Sequence, residues 1–412
     1  VQVLLLILGG VLALGLPTMN KRGRRRFWHS WIDIGLLPLL VGLACGALAW
    51  QLLPSGSEQR LNDHLHALLA LAQATAGVLL GTQLRMAYLV RAGWGFMRHQ
   101  NGQIAMVAVL SAAVVVGVLG LDGLSLGTLL AAAALLVGLL ISSSQRPPPS
   151  SYAHEHRHKD VISRHVAGAG WWNLMAVLLA GIGLQAGLSP DRPVALALLP
   201  DAVLAVVPTW VFTLAAACLA GLGLGLLSKG ARNRAEASLF LLAVLGITGG
   251  GALLLGGAPL LTGVVVGAWF SNIALGRLAL IERQLIDLEQ PVVIAVAYLA
   301  GVAVVLITTM NPAAWASTWN LEPMTLAVLA AMLMRWLLRW RWSPTDPRLA
   351  GAGERALASP GATGLLLLTS CILAPAELEP LIIPMLIGLV LLHLVAELVE
   401  WRVLRLAGDD EG

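Results

Sequence analysis

The chain has 412 residues, 58% of them hydrophobic and 12% charged, with a mean hydropathy of +0.82. Soluble domains carry about 25% charged residues, so this composition, with apolar runs along the whole length, excludes an ordinary soluble fold and specifies an all-α polytopic membrane protein. A net charge of only +4 means that the pI of 9.3 reflects basic loops and gives no nucleic-acid footprint. Cys45, Cys218 and Cys371 each sit inside an apolar run, and an odd, buried set argues against a disulfide framework.

A helical span needs roughly 20 apolar residues, with about 17 to 25 as the working range. That criterion predicts 13 transmembrane helices, over 1–17, 31–53, 64–88, 103–120, 124–142, 161–186, 202–228, 235–256, 259–276, 291–310, 323–342, 356–375 and 379–405. The first run admits a second reading, a cleaved signal peptide, although no small-residue cleavage site follows it. Connections are short, and 406–412 form an acidic tail. With the N-terminus outside, the odd-to-even links hold Lys21, Arg22, Arg24 to Arg26, Arg91, Arg98, Arg157, Lys159, Lys229, Arg232, Arg277, Arg283, Arg339, Arg341 and Arg348. The opposite side keeps Arg60 and Arg192, a separation that predicts N-out/C-in by the positive-inside rule. Trp28, Trp31, Trp340, Trp342 and Trp401 fall at the inner boundary and Trp50, Trp315 and Trp319 at the outer one, as interfacial anchors do. Residues 278–290 alternate apolar and charged side chains at helical spacing and read as a cytoplasmic surface helix linking two halves.

Polar groups and broken backbone inside hydrocarbon survive mainly where they are buried in protein or line a cavity. The stretch 139–178 concentrates them. An apolar helix breaks at Ser142, Ser143 and Ser144, a Pro- and His-rich loop follows, and the next span carries Trp172 and Asn173 in its interior. A second break falls at 359–364, with Ser359, Pro360, Gly361 and Thr363. Broken apolar segments in corresponding halves of a transporter mark a binding site near the midplane. Each break taken alone is equally what ends or begins a helix. Arg335 lies about 18 Å along its span at 1.5 Å per residue. It either snorkels to the inner interface or stands as a buried cation facing a substrate or backbone carbonyls. His154, His156, His158 and His165 suit metal or pH sensing, and equally an ordinary solvated loop. No Asp or Glu occupies a predicted midplane; Asp33, Asp201, Glu236 and Glu397 all lie toward helix ends. No zinc motif, phosphate loop, Ser-His-Asp set or dinucleotide fingerprint supports an enzyme, and the reading includes no cofactor.

In their order and spacing these features resemble the monovalent cation:proton antiporter superfamily, above all its bacterial branch with the glutathione-gated potassium efflux proteins. Residues 71–91 resemble the family's third span, Ser142 to Ser144 its first broken helix, and 262–301 its Gly-rich span, acidic connector and following helix. Leu333 to Leu337 resemble its basic stretch facing the ion site, 359–364 its second break, and 384–408 its terminal span. The resemblance implies an inverted-repeat antiporter fold with two discontinuous crossing helices. The first-repeat core would cover 64–186, middle helices and a linker helix 187–290, and the second-repeat core 291–405. It also implies a homodimer in a bacterial inner membrane and exchange of Na⁺ or K⁺ for H⁺. The family places an essential Asp about 29 residues after the first break, and that count from Ser144 reaches Asn173, preceded by Trp172. An Asn amide cannot take up a proton at physiological pH.

The expected site is therefore Ser142, Ser143, Ser144, Trp172, Asn173, Arg335, Ser359 and Thr363, in an antiporter-like transporter whose proton coupling is altered or lost. One variant of this reading carries an anion attracted by Arg335; another keeps a proton carrier elsewhere, such as Glu397. The alternative is a transport-inactive antiporter-fold subunit or sensor acting with a partner protein, with Trp172 filling the old cavity. Gly42 to Gly46 and Gly77 to Gly81 have the spacing that permits close helix packing.

Overall fold

The structure, a computed structural model, describes residues 9–10, 13, 35–51, 58–82, 84, 93–119, 126–142, 159–187, 199–230, 233–254, 257–273, 278–310, 361–374 and 376–394. Over these residues the chain is all-helical. The helices are α1 (Leu36–Gln51), α2 (Glu58–Thr82), α3 (Trp94–Leu119), α4 (Leu126–Ile141), α5 (Lys159–Gly187), α6 (Leu199–Gly230), α7 (Arg234–Leu254), α8 (Pro259–Ile273), α9 (Leu278–Met310) and α10 (Gly361–Ile372). A 3₁₀ turn, Ala376–Leu381, then leads into α11 (Ile382–Leu394). Segments Gln59–Thr82, Gln100–Gly117, Ala235–Leu254 and Asp287–Met310 are each long and apolar enough to cross a membrane. The predicted eleventh span, 323–342, lies outside the described residues.

Lipid tails are as apolar as leucine, so helices in a membrane associate through close packing rather than by escaping water. This chain achieves that contact with glycine. On α2, Gly77 faces Leu260 and Gly263 of α8, and Gly81 faces Val264, Gly267 and Ala268. The two helices thus run parallel, and a Cβ on any of these four glycines would drive into a backbone atom opposite. A second parallel pair is built likewise, with Gly35 of the turn into α1 facing Val293 and Ala297 of α9, Gly42 facing Tyr298, and Gly46 facing Val302 and Val305. Gly301 of α9 returns the contact to Leu39 and Leu43. Both spacings singled out in the sequence are therefore consumed inside one chain. Gly221 of α6 against Val266, and Gly249 of α7 against Ala70 and Leu71, attach the peripheral helices to the same block.

The outer faces stay apolar. Val109 and Val116 of α3, Leu219 and Leu226 of α6, and Leu239, Leu242 and Ile247 of α7 are exposed. Side chains of this kind in rows along whole helices call for hydrocarbon around them rather than water. Cys45, Cys218 and Cys371 are free thiols.

One expectation is revised. Residues 278–290 are not a separate surface helix: α9 runs unbroken from Leu278 to Met310 with Pro291 inside it. Pro291 forfeits one intrahelical hydrogen bond, but the segment before it is held in place from the side. Ile281 and Leu285 are buried in the apolar cluster they share with α6 and α7, and Gln284 Nε2 donates to Ser238 Oγ at 3.0 Å. Asp287 and Glu289 remain exposed, which gives the charged half of the pattern its place.

Candidate functional site

Helix α4 ends where the sequence places its break. Ser142 closes the last turn, its N–H donating to the Gly138 carbonyl at 2.9 Å and its hydroxyl to the Leu139 carbonyl at 2.6 Å. The side chain is fully buried. Helix α5 packs antiparallel to α4: Gly183 faces Ala134, and Gly138 faces the Ala176 carbonyl at 2.9 Å and Ala180 Cβ at 3.2 Å, measured from an added Cβ. The same register, carried one turn on, brings Ser142 level with Asn173, itself 2% exposed. Gly138 also meets Leu367 of α10, at 3.3 Å from such a Cβ. Three helices predicted to carry the site thus converge on one glycine.

The first turn of α10 holds Thr363, which is buried. Residues 361–364, predicted as part of the second break, are helical here, because Gly361 opens the helix and the Ala, Thr and Gly that follow continue it without strain. Ser143, Ser144, Arg335, Ser359, His154, His156 and His158 lie outside the described residues, as does Glu397.

Trp172 is 2% exposed and belongs to the apolar core that contains Leu139, Ile141 and Leu365. Its indole N–H donates to Gln100 Oε1 of α3, and that of the neighbouring Trp171 to Asn101 Oδ1 at 2.6 Å. Two consecutive indoles on α5 therefore bind two consecutive amides on α3. Buried indoles seek such partners, but the partners sit in a different span and nothing in the local sequence announces them.

The sequence reading passed over a fully buried polar contact. Gln73 lies near the middle of the Gln59–Thr82 span and is 0% exposed. Its Nε2 donates to Thr369 Oγ1 at 2.6 Å, Ser370 Oγ at 3.0 Å and the Leu366 carbonyl at 3.0 Å, all on α10. Both hydroxyls also donate to that carbonyl, at 2.7 Å and 3.0 Å. A carboxamide in the middle of the apolar run of 64–88 is a visible signal; a search for carboxylates does not register it.

Among the described residues the site is thus a neutral, oxygen-rich, water-excluded junction of α2, α4, α5 and α10. It can order a desolvated ion or polar solute through hydroxyl, amide and carbonyl groups, and none of the side chains named in it carries a formal charge. The chain matches no protein-family model and no curated protein.

Proposed function

We propose that the chain is an antiporter-like transporter of Na⁺ or K⁺ in which proton coupling is altered or lost. The convergence of α4, α5 and α10 on Gly138 carries this reading, since it puts Ser142, Asn173 and Thr363 on the helices that meet at one junction. The glycine-packed pairs add support. In the thirteen-span reading α1, α2, α8 and α9 are the second, third, ninth and tenth spans. A relation taking each span to the seventh after it carries the α1–α9 pair onto the α8–α2 pair. It also maps the contact between the fifth span (α4) and the twelfth (α10) onto itself. Paired contacts of this kind are what an inverted repeat produces. Without a carboxylate at Asn173 the junction cannot trade a proton for a cation there.

The test is flux in proteoliposomes, with radioactive sodium or rubidium as cargo and a pH-sensitive dye inside. The expected result is cation uptake by the wild type with little dye response, and a dye response that appears in Asn173→Asp. Arg335→Ala should change the rate if that cation faces the junction. A wild type silent toward both cations overturns the transport reading.

The second reading, a transport-inactive subunit or sensor acting with a partner protein, is favoured by Trp172. Its indole is buried beside Asn173 and tied to Gln100, so bulk occupies the junction. In the same assay that reading expects a silent wild type and activity emerging only in Asn173→Asp.

A further inference from the structure

We propose that Gln73 is a conformational latch: its bonds to α10 hold the helix that carries Thr363 in one register against α2, and they must break before α10 can shift. The proposal does not rest on the transport reading, because a latch of this kind sets the exchange between conformations in a carrier and in a sensor alike.

The α2 end of the latch is held rigidly. Gly249 of α7 presses on the backbone at Ala70 and Leu71, and Gly263 of α8 on the Ala74 carbonyl and Gly77, so the turns on either side of Gln73 are pinned backbone to backbone. The α10 end leads to the junction. Thr363 and Ser370 are separated by close to two turns, so they share one face of α10 about 10 Å apart. Leu367, between them, meets Gly138 of α4.

Between the two ends every donor is used. The two Gln73 N–H groups and the two hydroxyls serve Thr369 Oγ1, Ser370 Oγ and the Leu366 carbonyl at 2.6 to 3.0 Å. One register alone satisfies this set. A shift of α10 by one turn, about 5.4 Å, would bring Leu365 and Leu366 to Gln73 in one direction and Leu373 and Ala374 in the other. Neither pair has a side-chain acceptor, so the amide donors would be stranded among apolar groups, which is costly. The latch therefore favours a single conformation. It is also built to open. Gln73 Oε1 is fully buried and has no hydrogen-bond partner among the described residues, so part of what the N–H groups gain is lost on the same carboxamide.

Cys371 is a native probe beside the latch: it follows Ser370 directly, is fully buried, and its thiol donates to the Leu378 carbonyl at 3.3 Å. The experiment is the rate at which N-ethylmaleimide labels Cys371 in the full-length protein in lipid nanodiscs. Cys45→Ser and Cys218→Ser remove the other thiols, and thermal unfolding is followed in parallel. Gln73→Leu, Thr369→Val and Ser370→Ala together remove the latch, since replacing both sides of a hydrogen bond by apolar groups of like shape can be nearly neutral to stability. That triple variant should melt close to its parent and label about tenfold faster, as the loss of roughly one net hydrogen bond from the closed state predicts. Gln73→Leu alone should also label faster, and it guards against a triple variant that fails to fold. Thr369→Ser, which keeps the hydroxyl, should label at the parent's rate. Labelling of the folded latch variants no faster than the parent overturns the latch. Faster labelling only in step with a falling melting temperature overturns it too, since that is general loosening. A wild type silent in the flux assay defeats the transport reading alone and leaves these rates as the test of the latch.

Discussion

Along α2 and α8 each helix offers glycines to the other's backbone, so carbonyl oxygens and Cα atoms touch with no side chain between them. Along α4 and α5 each helix also offers a glycine, but the surface it meets is not bare backbone. Gly138 and Gly183 meet alanine methyls as well as carbonyls, and the contact ends at Ser142 level with Asn173. Both pairs obey the same rule, that membrane helices gain contact area from small residues, but they use it differently. Reciprocal backbone contact fixes one distance and one register, because nothing in it can rotate. A contact that meets methyls as well as carbonyls is spaced by side-chain atoms rather than by backbone alone. If the chain transports as proposed, the α1–α9 and α2–α8 pairs are suited to be its frame, and the junction of α4, α5 and α10 to be the part that rearranges.

The strongest way to break this comparison is to enlarge a frame glycine. Gly267→Leu places its Cβ against the Val78 carbonyl and the Thr82 N–H of α2, and backbone at both points cannot yield. Overpacking of this kind costs about 3 kcal/mol. Loss of the monodisperse peak in detergent chromatography is the expected outcome, and a folded, wild-type-like protein would show that the frame is softer than its contacts imply. Gly138→Ala tests the other side. Its new methyl meets the Ala176 carbonyl at 2.9 Å, Ala180 Cβ at 3.2 Å and a Leu367 methyl at 3.3 Å, of which only the leucine end is flexible. The expected cost is about 1 kcal/mol, with the protein still folded and its melting temperature lowered. Equal losses at Gly267→Ala and Gly138→Ala would erase the distinction between frame and junction.

The indole pair sharpens the same contrast within α5. Trp172→Phe keeps the buried ring and removes the N–H, leaving Gln100 Oε1 without that donor, for an expected loss of about 1 kcal/mol. Trp171→Phe, whose bond to Asn101 is solvent-accessible, should cost about half as much or less. The two melting temperatures measured side by side decide it, and a larger effect at Trp171 would contradict the burial.

Apolar run length was enough to place the described helices. The predicted 161–186, 202–228, 235–256 and 259–276 correspond to Lys159–Gly187, Leu199–Gly230, Arg234–Leu254 and Pro259–Ile273, because each run is bounded by charged or turn-forming residues. The edges moved where a helix extends past its hydrocarbon segment, as at Glu58–Thr82, whose first turns hold Arg60 and Asp63 ahead of the apolar run. Joining 278–290 to the following span was not legible, since Pro291 is a normal stop signal and only lateral packing of Ile281 and Leu285 overrules it. For the site, Ser142 and Asn173 could be read from polarity inside apolar runs. Their shared level could not, because it depends on the register set by Gly138 and Gly183. Gln73 shows the limit of reading by charge: a neutral amide contributes nothing to a search for carboxylates, yet its contact across 293 residues to Leu366 joins the frame to the junction.

One expected effect is of opposite sign. Gly223, on α6, has nothing within 4 Å of an added Cβ, in contrast to Gly221 on the same helix, which faces the Val266 carbonyl and the Trp269 side chain. Two glycines two positions apart thus serve different ends, one making a close approach and the other making none. Alanine at Gly223 adds no clash and removes the backbone freedom that makes glycine about 0.8 to 1 kcal/mol poorer than alanine inside a helix. Gly223→Ala should therefore raise the melting temperature slightly, while Gly221→Ala lowers it by pressing on α8. If Gly223→Ala destabilises instead, the exposed face of α6 is occupied in the membrane by something other than lipid, and a second copy of this chain becomes the first partner to test by cross-linking at Leu219 and Leu226, which flank it on the outer face.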